Sequence, residues 1–266
     1  MAAYYNDIAF EQMRELLEEL HDRYNNPDFI EADPISVPHS FSSPLDREIA
    51  GFMAATIAWG NRQAIVKSSF RMMRYMDNSP ADFVRNASQG ELDSLHSFVH
   101  RTFNGSDFRS FVLALRAIVE RWGSVGNYFE QRYLECSDMR KVLSMFYHDF
   151  FSVEHDPHCR KHLSSIDKGA ACKRLCMYLR WFVRSDDRGV DFGQWTKIPM
   201  SALYMPLDIH TGRMGRSMAL LQRKQSDWRA VEELTASLRE FSADDPVRYD
   251  YALFGLGIDE KRRGQL

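Results

Sequence analysis

The stretch from Trp195 to Leu221, WTKIPMSALYMPLDIHTGRMGRSMALL, places a proline and an acid directly before a helical run. Asp208 is a favoured N-cap, because its carboxylate can accept hydrogen bonds from the unpaired amides of the first helical turn. The positive end of the helix dipole also keeps such a carboxylate charged, which suits chemistry. Asp208 therefore has two interpretations, a plain helix cap or a reactive carboxylate.

The residues after Asp208 form two stripes on the predicted helix. His210, Arg213 and Arg216 are spaced at i, i+3 and i+6 and share one face. Gly212 and Gly215 lie on a second stripe, where another backbone or a ligand can approach closely. The plainer alternative is a capped helix with a solvated basic face.

Composition limits the class of protein. The 266 residues fit one large or two small domains, and 44% hydrophobic content supports a sizeable core. We expect no membrane span and no signal peptide, because the chain has no long apolar run and no basic stretch followed by an apolar one at its N-terminus. Four cysteines do not make a disulfide scaffold, so we expect a reduced, cytoplasmic protein.

Charge is unevenly distributed along the chain, although the net charge is only −3. Residues 1–34 hold nine acids against two arginines, whereas residues 166–184 hold five cations against one acid. A local basic surface can bind phosphates even on an acidic protein, although charged faces are often merely solvated.

Hydrophobic periodicity predicts an all-α, multi-helix bundle of about a dozen helices. No alternating β pattern and no fixed repeat is found. Residues 26–44 contain four prolines and are predicted to be a linker between an acidic N-terminal helix and the main body, giving predicted domains 1–44 and 45–266. The predicted helices cover residues 7–25, 46–59 (a central core helix), 62–76, 91–100, 107–122, two within 125–152, 169–183, a run after Asp208, 226–241 capped by Ser226, and 246–255 capped by Asp245.

The segment Glu154–His162 is rich in metal-ligating side chains. His158 and His162 lie four residues apart, and with Cys159 or His155 they could hold zinc. No second cluster with metal-ligand spacing accompanies them, so the sequence predicts neither a metal nor another cofactor. GxSxG, Walker and GxGxxG motifs are also absent from the sequence.

Three segments carry a resemblance to known families: KGAACKRLCMYLRWFVR (168–184), PLDIHTGRMGR (206–216) and DDPVRYDYALFGLG (244–257). Together they resemble a bacterial family known as domain of unknown function 2400, over roughly residues 40–260. The order of parts is also similar to the helix-hairpin-helix DNA glycosylase superfamily, in which a V-D-x-H-x-x-R motif opens a helix. Here Leu207–Arg213 fits that motif, with Leu207 in place of its valine.

The glycosylase resemblance implies a two-lobed fold, with lobes of about residues 45–155 and 156–266, and damaged or modified DNA as a partner. It implies that Asp208 stabilises an oxocarbenium-like state or orients a water. The implied nucleic-acid contacts are Gly169, Arg213, Arg216, Asn61 and Arg62. The implied lining of a pocket for an extruded base is Trp59, Trp181, Trp195, Tyr204, His210 and Asp250.

Departures from the glycosylase pattern leave alternatives open. The hairpin region has Gly169 alone where that superfamily has two glycines, and neither Lys168 nor Lys173 is in the register of its Schiff-base lysine. No cysteine follows Cys176, so the resemblance implies no iron–sulfur cluster. Asp250 is a pocket residue or a buried partner for an arginine such as Arg180.

Base excision from DNA, with Asp208 as the catalytic group, is the leading functional hypothesis. The alternatives are a non-catalytic nucleic-acid- or protein-binding module in which Asp208 is only a cap, and an enzyme that acts on a nucleotide or modified RNA. The sequence does not predict an oligomeric state.

Overall fold

The computed structural model describes residues 9–262, and these residues are mostly helical, which confirms the all-α prediction. The helices are α1 (Phe10–Tyr24), α2 (Asp28–Glu31), α3 (Ser36–His39), α4 (Pro44–Thr56), α5 (Arg62–Tyr75), α6 (Pro80–Asn86), α7 (Gln89–Ser94), α8 (Gly105–Trp122), α9 (Val125–Cys136), α10 (Met139–Phe150), α11 (Lys173–Val183), α12 (Ile209–Ser217), α13 (Trp228–Arg239) and α14 (Asp250–Arg262). Within the part of the chain described, no helix is both long enough and apolar enough to cross a membrane.

The chain forms two compact units. Among the described residues, the first unit consists of residues 9–29, 166–193 and 199–262, and the second of residues 30–165 and 194–198. The first unit therefore contains α1 and α11 to α14, and the second contains α3 to α10.

The second unit has an aromatic core around α4, whose residues from Glu48 to Thr56 are all buried. Phe52 of α4 contacts Phe111 of α8 and both Phe146 and Phe150 of α10, with ring centroids 5.4–6.1 Å apart. The prediction of a central core helix is confirmed. Ser43 caps this helix and Pro44 occupies its first turn, where a missing amide hydrogen costs nothing.

A buried glutamate fixes residues 194–198 within the second unit. The carboxylate of Glu48 accepts hydrogen bonds from the Gly126 amide (2.9 Å), the Gln194 side chain (2.8 Å) and the indole of Trp195 (3.0 Å). Trp195 also stacks on Phe129, with ring centroids 5.5 Å apart. Three donors on one carboxylate offset the cost of burying it.

In the first unit, α14 packs against both α1 and α12. Glycines on α14 allow both close approaches: a Cβ on Gly255 would lie 2.3 Å from the ring of Tyr24, and one on Gly257 would lie 2.9 Å from Cβ of His210. A hydrogen bond also joins α1 to α14, because the Tyr24 hydroxyl donates to the Asp259 carboxylate at 2.7 Å. The acidic N-terminal helix is thus part of the first unit.

Several predicted element boundaries are wrong. Residues 26–44 hold the one-turn helices α2 and α3, because a first turn tolerates proline. The predicted helix 91–100 ends at Ser94, and two-residue strands β1 (Val99–His100) and β2 (Phe103–Asn104) follow as a hairpin. The predicted start of the first helix at residue 7 lies outside the described residues.

Helix starts in the first unit also differ from the prediction. The helix predicted from residue 169 begins at Lys173, because Gly169 (φ +74°) and Cys172 (φ +47°) are left-handed. Asp227, and not Ser226, caps α13. Asp245 makes no capping hydrogen bond, since its carboxylate binds Arg184 instead, and residues 246–249 form a 3-10 turn before α14.

Gly126 and Gly90 provide a matched test of the packing around Glu48. A Cβ on Gly126 would lie 2.2 Å from the indole nitrogen of Trp195, whereas a Cβ on Gly90 would have no atom within 4 Å. Both glycines lie in helices, where alanine is intrinsically favoured by roughly 0.5–1 kcal/mol. We expect Gly126→Ala to lower the free energy of unfolding by about 1–3 kcal/mol through overpacking. Gly90→Ala should leave the free energy of unfolding unchanged or raise it in chemical denaturation, and equal effects of the two substitutions would contradict this packing.

Candidate functional site

Asp208 is the N-cap of α12, as the sequence predicts. Its backbone is extended, with φ −116° and ψ −170°, and its Oδ1 accepts a hydrogen bond from the Thr211 amide at 2.9 Å. The side chain is partly exposed, and its second oxygen accepts no hydrogen bond from any residue between 9 and 262. One carboxylate oxygen therefore holds the helix, and the other remains available.

Thr211 joins the cap to a buried carboxylate. Its side chain is fully buried, and its hydroxyl donates a long hydrogen bond of 3.4 Å to Oδ1 of Asp250. Asp250 in turn forms an ion pair with Arg180, which confirms the interpretation of Asp250 as a buried partner for that arginine. The polar chain Asp208–Thr211–Asp250–Arg180 links the N-terminus of α12 to α11 and α14.

Two buried arginines, Arg180 of α11 and Arg184 at the C-cap of that helix, form ion pairs with the buried acids of the first unit. Arg180 contacts Asp250 and also Asp191, at 3.3 Å. Arg184 binds Asp191 at 3.1 Å and Asp245 at 2.8 Å. Both arginines are almost completely buried, so the ion pairs provide their necessary compensation.

Burial raises the pKa values of two acids in this network. Burial raises the pKa of Asp250 to about 6; Arg180 opposes that increase, and the negative charge of Asp208 adds to it. Burial likewise raises the pKa of Asp245, against the lowering effect of Arg184. The positive charge of Lys173 also acts on Asp250, so Asp208 and Lys173 both lie within electrostatic reach of the same carboxyl group.

The predicted hairpin residues form a turn before α11. Gly169 is exposed; its amide donates to the Ile166 carbonyl at 2.8 Å, and its own carbonyl accepts from the Trp228 amide at 2.9 Å. Lys173 is the first residue of α11 and is partly exposed, while Lys168 is exposed. Neither lysine forms an ion pair with a described residue.

The basic face of α12 is largely engaged by backbone carbonyls. Arg213 donates to the Gly257 carbonyl at 2.8 Å, and His210 contacts the same oxygen at 3.2 Å. The guanidinium of Arg216 donates to the carbonyls of Gly212, Arg223, Lys224 and Gln225. These contacts give both arginines a structural role, and their predicted phosphate contacts stay predictions.

The aromatic residues predicted for a base pocket have different environments. Trp181 and Trp195 are buried in the cores of the first and second unit, with 0% and 2% of their surface exposed. Tyr204 is partly exposed and lies 4.8 Å from the ring of Trp228. Trp59 of the second unit is partly exposed and stacks on His162 at 5.5 Å. Of these four residues, Tyr204 and Trp59 are therefore the two that are partly exposed.

Asn61 and Arg62, which were predicted to approach DNA, start α5 in the second unit. Asn61 is exposed and caps the helix by accepting from the Ala64 amide at 3.0 Å. Arg62 forms an ion pair with Asp33 at 2.9 Å. Their predicted contacts with DNA stay predictions.

Two residues of α12 were missed by the sequence reasoning. Thr211 looked like an ordinary helical residue, because its partner Asp250 is 39 positions away. Ile209 follows Asp208 directly and is 83% exposed, the highest value among the exposed large hydrophobic side chains described. A signal existed for Ile209, since it lies off the apolar stripe of its own helix.

Comparison with known proteins identifies the family of this chain. Residues 33–259 match the model of a family described as "Protein of unknown function (DUF2400)". The chain belongs to the DUF2400 family. No curated protein and no solved structure matches it. Asp208, Thr211, Asp250 and Arg180 all lie inside the matched region.

The raised pKa of Asp250 predicts a pH dependence of stability. The folded protein holds this proton up to about pH 6, whereas an unfolded aspartate releases it near about pH 4. The free energy of unfolding should therefore fall between these pH values, by at most about 3 kcal/mol.

The measurement is the difference between wild type and Asp250→Asn, by chemical denaturation from pH 4 to 7. Taking this difference cancels the effect of other titrating groups on the free energy of unfolding. His21 is one of them: burial lowers its pKa to about 4, so its contribution to stability rises with pH over the same interval. Asp244→Asn, at an exposed position, should keep the wild-type profile. A wild-type-minus-Asn difference that does not change with pH would contradict the assignment.

Proposed function

We propose that the first unit hydrolyses the N-glycosidic bond of a base in nucleic acid, with Asp208 as the catalytic carboxylate. The observation that carries this proposal is a comparison of two aspartate caps in the same unit. Asp208 and Asp227 have nearly the same backbone angles, −116°/−170° and −120°/−175°, and each accepts from the amide three residues ahead.

The two caps differ in what holds the rest of the carboxylate. Both oxygens of Asp227 are bound by the guanidinium of Arg223, which satisfies the charge. Asp208 has no such cation among the described residues, so its charge depends on the N-terminus of α12 and on solvent. An unpaired carboxylate on a rigid cap is available for a developing positive charge.

This arrangement suits glycosidic cleavage. Departure of a base leaves positive charge on the sugar, and a nearby carboxylate stabilises that oxocarbenium-like state or orients the attacking water. The hydrogen bond from Thr211 fixes one oxygen of Asp208, and the Asp250–Arg180 pair fixes Thr211. Buried residues thereby fix the position of the proposed catalytic carboxylate.

The surface along α12 also favours a nucleic acid. Ile209, the residue after Asp208, is 83% exposed, and apolar side chains of this kind can insert between bases. Arg216, about 12 Å further along the helix, holds the loop of residues 223–225 through their carbonyls. That loop borders an open pocket with a volume of about 630 Å³. The pocket is lined by Gln222, Arg223, Lys224, Gln225, Arg229 and Glu233. Its cationic side chains suit phosphates a few nucleotides away from the reacting sugar.

The test is base release from labelled duplexes that carry uracil, 8-oxoguanine or an alkylated base, with wild type, Asp208→Asn and Asp227→Asn. Asparagine caps helices as well as aspartate does, so Asp208→Asn should keep the free energy of unfolding within about 0.5 kcal/mol. Its rate of base release should fall by at least about 100-fold. Asp227→Asn, a cap of the same geometry, should keep the wild-type rate.

Other outcomes would reject the assignment. Equal rates for wild type and Asp208→Asn would remove Asp208 from catalysis. Salt-sensitive binding of duplexes without base release by wild type would favour the non-catalytic binding module. Release from nucleotides or RNA alone would favour the nucleotide- or RNA-processing enzyme.

Lys173 is the better placed of the two candidate lysines for a covalent step. It starts α11, and its charge acts on the same carboxyl group as that of Asp208. If the enzyme forms a Schiff base with the sugar, borohydride should trap a covalent complex in wild type and in Lys168→Gln, but not in Lys173→Gln. Trapping that disappears only in Lys168→Gln would assign the nucleophile to Lys168.

A further inference from the structure

We propose that Asp107, His158 and His162 of the second unit bind one divalent metal ion of the zinc type. This inference is independent of the proposed glycosylase activity, because all three residues lie outside the first unit. Two imidazoles and a carboxylate form a donor set that is used for zinc and for other first-row transition metals.

Local structure explains why these residues meet. Asp107 is the third residue of α8, and the two histidines lie in a 3-10 helix of residues 157–162. Asp156 caps that 3-10 helix and is fixed to α8, since its carboxylate accepts from the Ser106 hydroxyl at 2.8 Å. The Asp156 amide also donates to the hydroxyl of Ser110 at 3.1 Å.

The spacing of the donor atoms suits a single ion. Oδ1 of Asp107 lies 2.7 Å from Nδ1 of His158, and Oδ2 lies 3.2 Å from Nε2 of His162. All three ligand atoms fall within 4.8 Å of one another. Metal–ligand bonds of about 2.0–2.1 Å in a tetrahedral site separate neighbouring ligand atoms by about 3.3 Å. Small rotations of the side chains would bring the three donors to that spacing.

His162 provides a second, independent observation. Its side chain is only 3% exposed, and its Nε2 makes no hydrogen bond, although it lies near the Asp107 carboxylate. Trp59 stacks on the ring, and Phe103 contacts its face edge-on with centroids 5.0 Å apart. A buried ring nitrogen without a hydrogen bond is unusual, and a metal ion at this position would satisfy it.

His158 gives access to the site, because its side chain is 40% exposed. Its Nε2 accepts from the ammonium group of Lys161 at 2.6 Å, so its Nδ1 carries the hydrogen that faces Asp107. A metal ion bound to Nδ1 requires the other neutral tautomer of His158, in which Nε2 carries the hydrogen and Nδ1 has a free lone pair. The exposed Lys161 side chain can then rotate away from Nε2 of His158 into solvent. A water molecule can complete the coordination of the ion on the solvent-exposed side of the site.

The structure selects a different third ligand from the two that the sequence suggested. Nδ1 of His155 contacts the Val153 carbonyl at 2.6 Å, and its Nε2 accepts from Arg160 at 2.8 Å. Cys159 is completely buried. Among the described residues, the group of potential ligands with this spacing comprises Asp107, His158 and His162 without either of them.

The experiment titrates metal-free protein with ZnCl₂ by calorimetry, using wild type, His158→Gln and His155→Gln. Wild type should bind one Zn²⁺ per chain. His158→Gln changes an exposed side chain and should weaken binding by at least about tenfold, whereas His155→Gln should bind as wild type does. Lys161→Gln should bind Zn²⁺ at least as tightly as wild type, because it removes a competing cation.

Absorption spectra with Co²⁺ identify the ligand type without relying on affinity. A Co²⁺ spectrum with the bands of nitrogen and oxygen ligands, and without a thiolate-to-metal charge-transfer band, would support Asp107, His158 and His162 as the ligands. A thiolate charge-transfer band would contradict this set and indicate that Cys159 is a ligand. The proposal would be overturned if wild type took up no Zn²⁺ at roughly millimolar concentration. Equal Zn²⁺ affinities of wild type and a folded His158→Gln variant would also overturn it.

Discussion

The first unit depends on two buried arginines, Arg180 of α11 and Arg184 at the C-cap of that helix. Arg180 and Arg184 cannot lie in an apolar interior without anions, so Asp191, Asp245 and Asp250 must surround them. Asp191 comes from the loop after α11, Asp245 precedes the 3-10 turn before α14, and Asp250 is the first residue of α14. The requirement to pair two charges thus fixes the relative positions of three segments, and removing either arginine would leave buried carboxylates without compensation, at a cost of about 3–5 kcal/mol.

The same network supports the candidate catalytic group. Asp250 accepts a hydrogen bond from the Thr211 hydroxyl, and the Thr211 amide donates a hydrogen bond to one carboxylate oxygen of Asp208. A carboxylate at the surface is therefore fixed by a chain of polar contacts that ends in the core. This arrangement leaves the second oxygen of Asp208 available, while α12 keeps its N-terminal hydrogen bond. Preorganisation of this kind places a charge before the substrate arrives, so the reaction does not have to reorganise the site.

The second unit combines an aromatic core with a polar cluster at its edge. The rings around Phe52 pack α4, α8 and α10, and Trp59 and Phe103 extend ring packing to His162. The carboxylate of Asp107 also accepts from the Asn104 amide at 2.9 Å, so it closes the first turn of α8 while it faces both histidines. Burial raises the pKa of the Asp107 carboxyl, but the nearby imidazoles of His162 and His158 and the hydrogen bond from the Asn104 amide outweigh burial, so this pKa lies below its usual value. A charged carboxylate beside two imidazoles is the reason why this cluster suits a cation.

Local sequence determined the helical class, the central core helix α4 and the cap at Asp208, and it offered a buried arginine partner as one of two interpretations of Asp250. Each of these follows from periodicity, from capping preferences or from the cost of burying an unpaired acid. The sequence failed where the deciding partner lies far along the chain. Asp107 stands 51 residues before His158, Arg184 takes the carboxylate of Asp245 away from its predicted cap, and Thr211 gains its role from Asp250. Only the tertiary structure decided these pairs, because hydrogen bonds and ion pairs depend on distance in space and leave no periodic mark in the sequence.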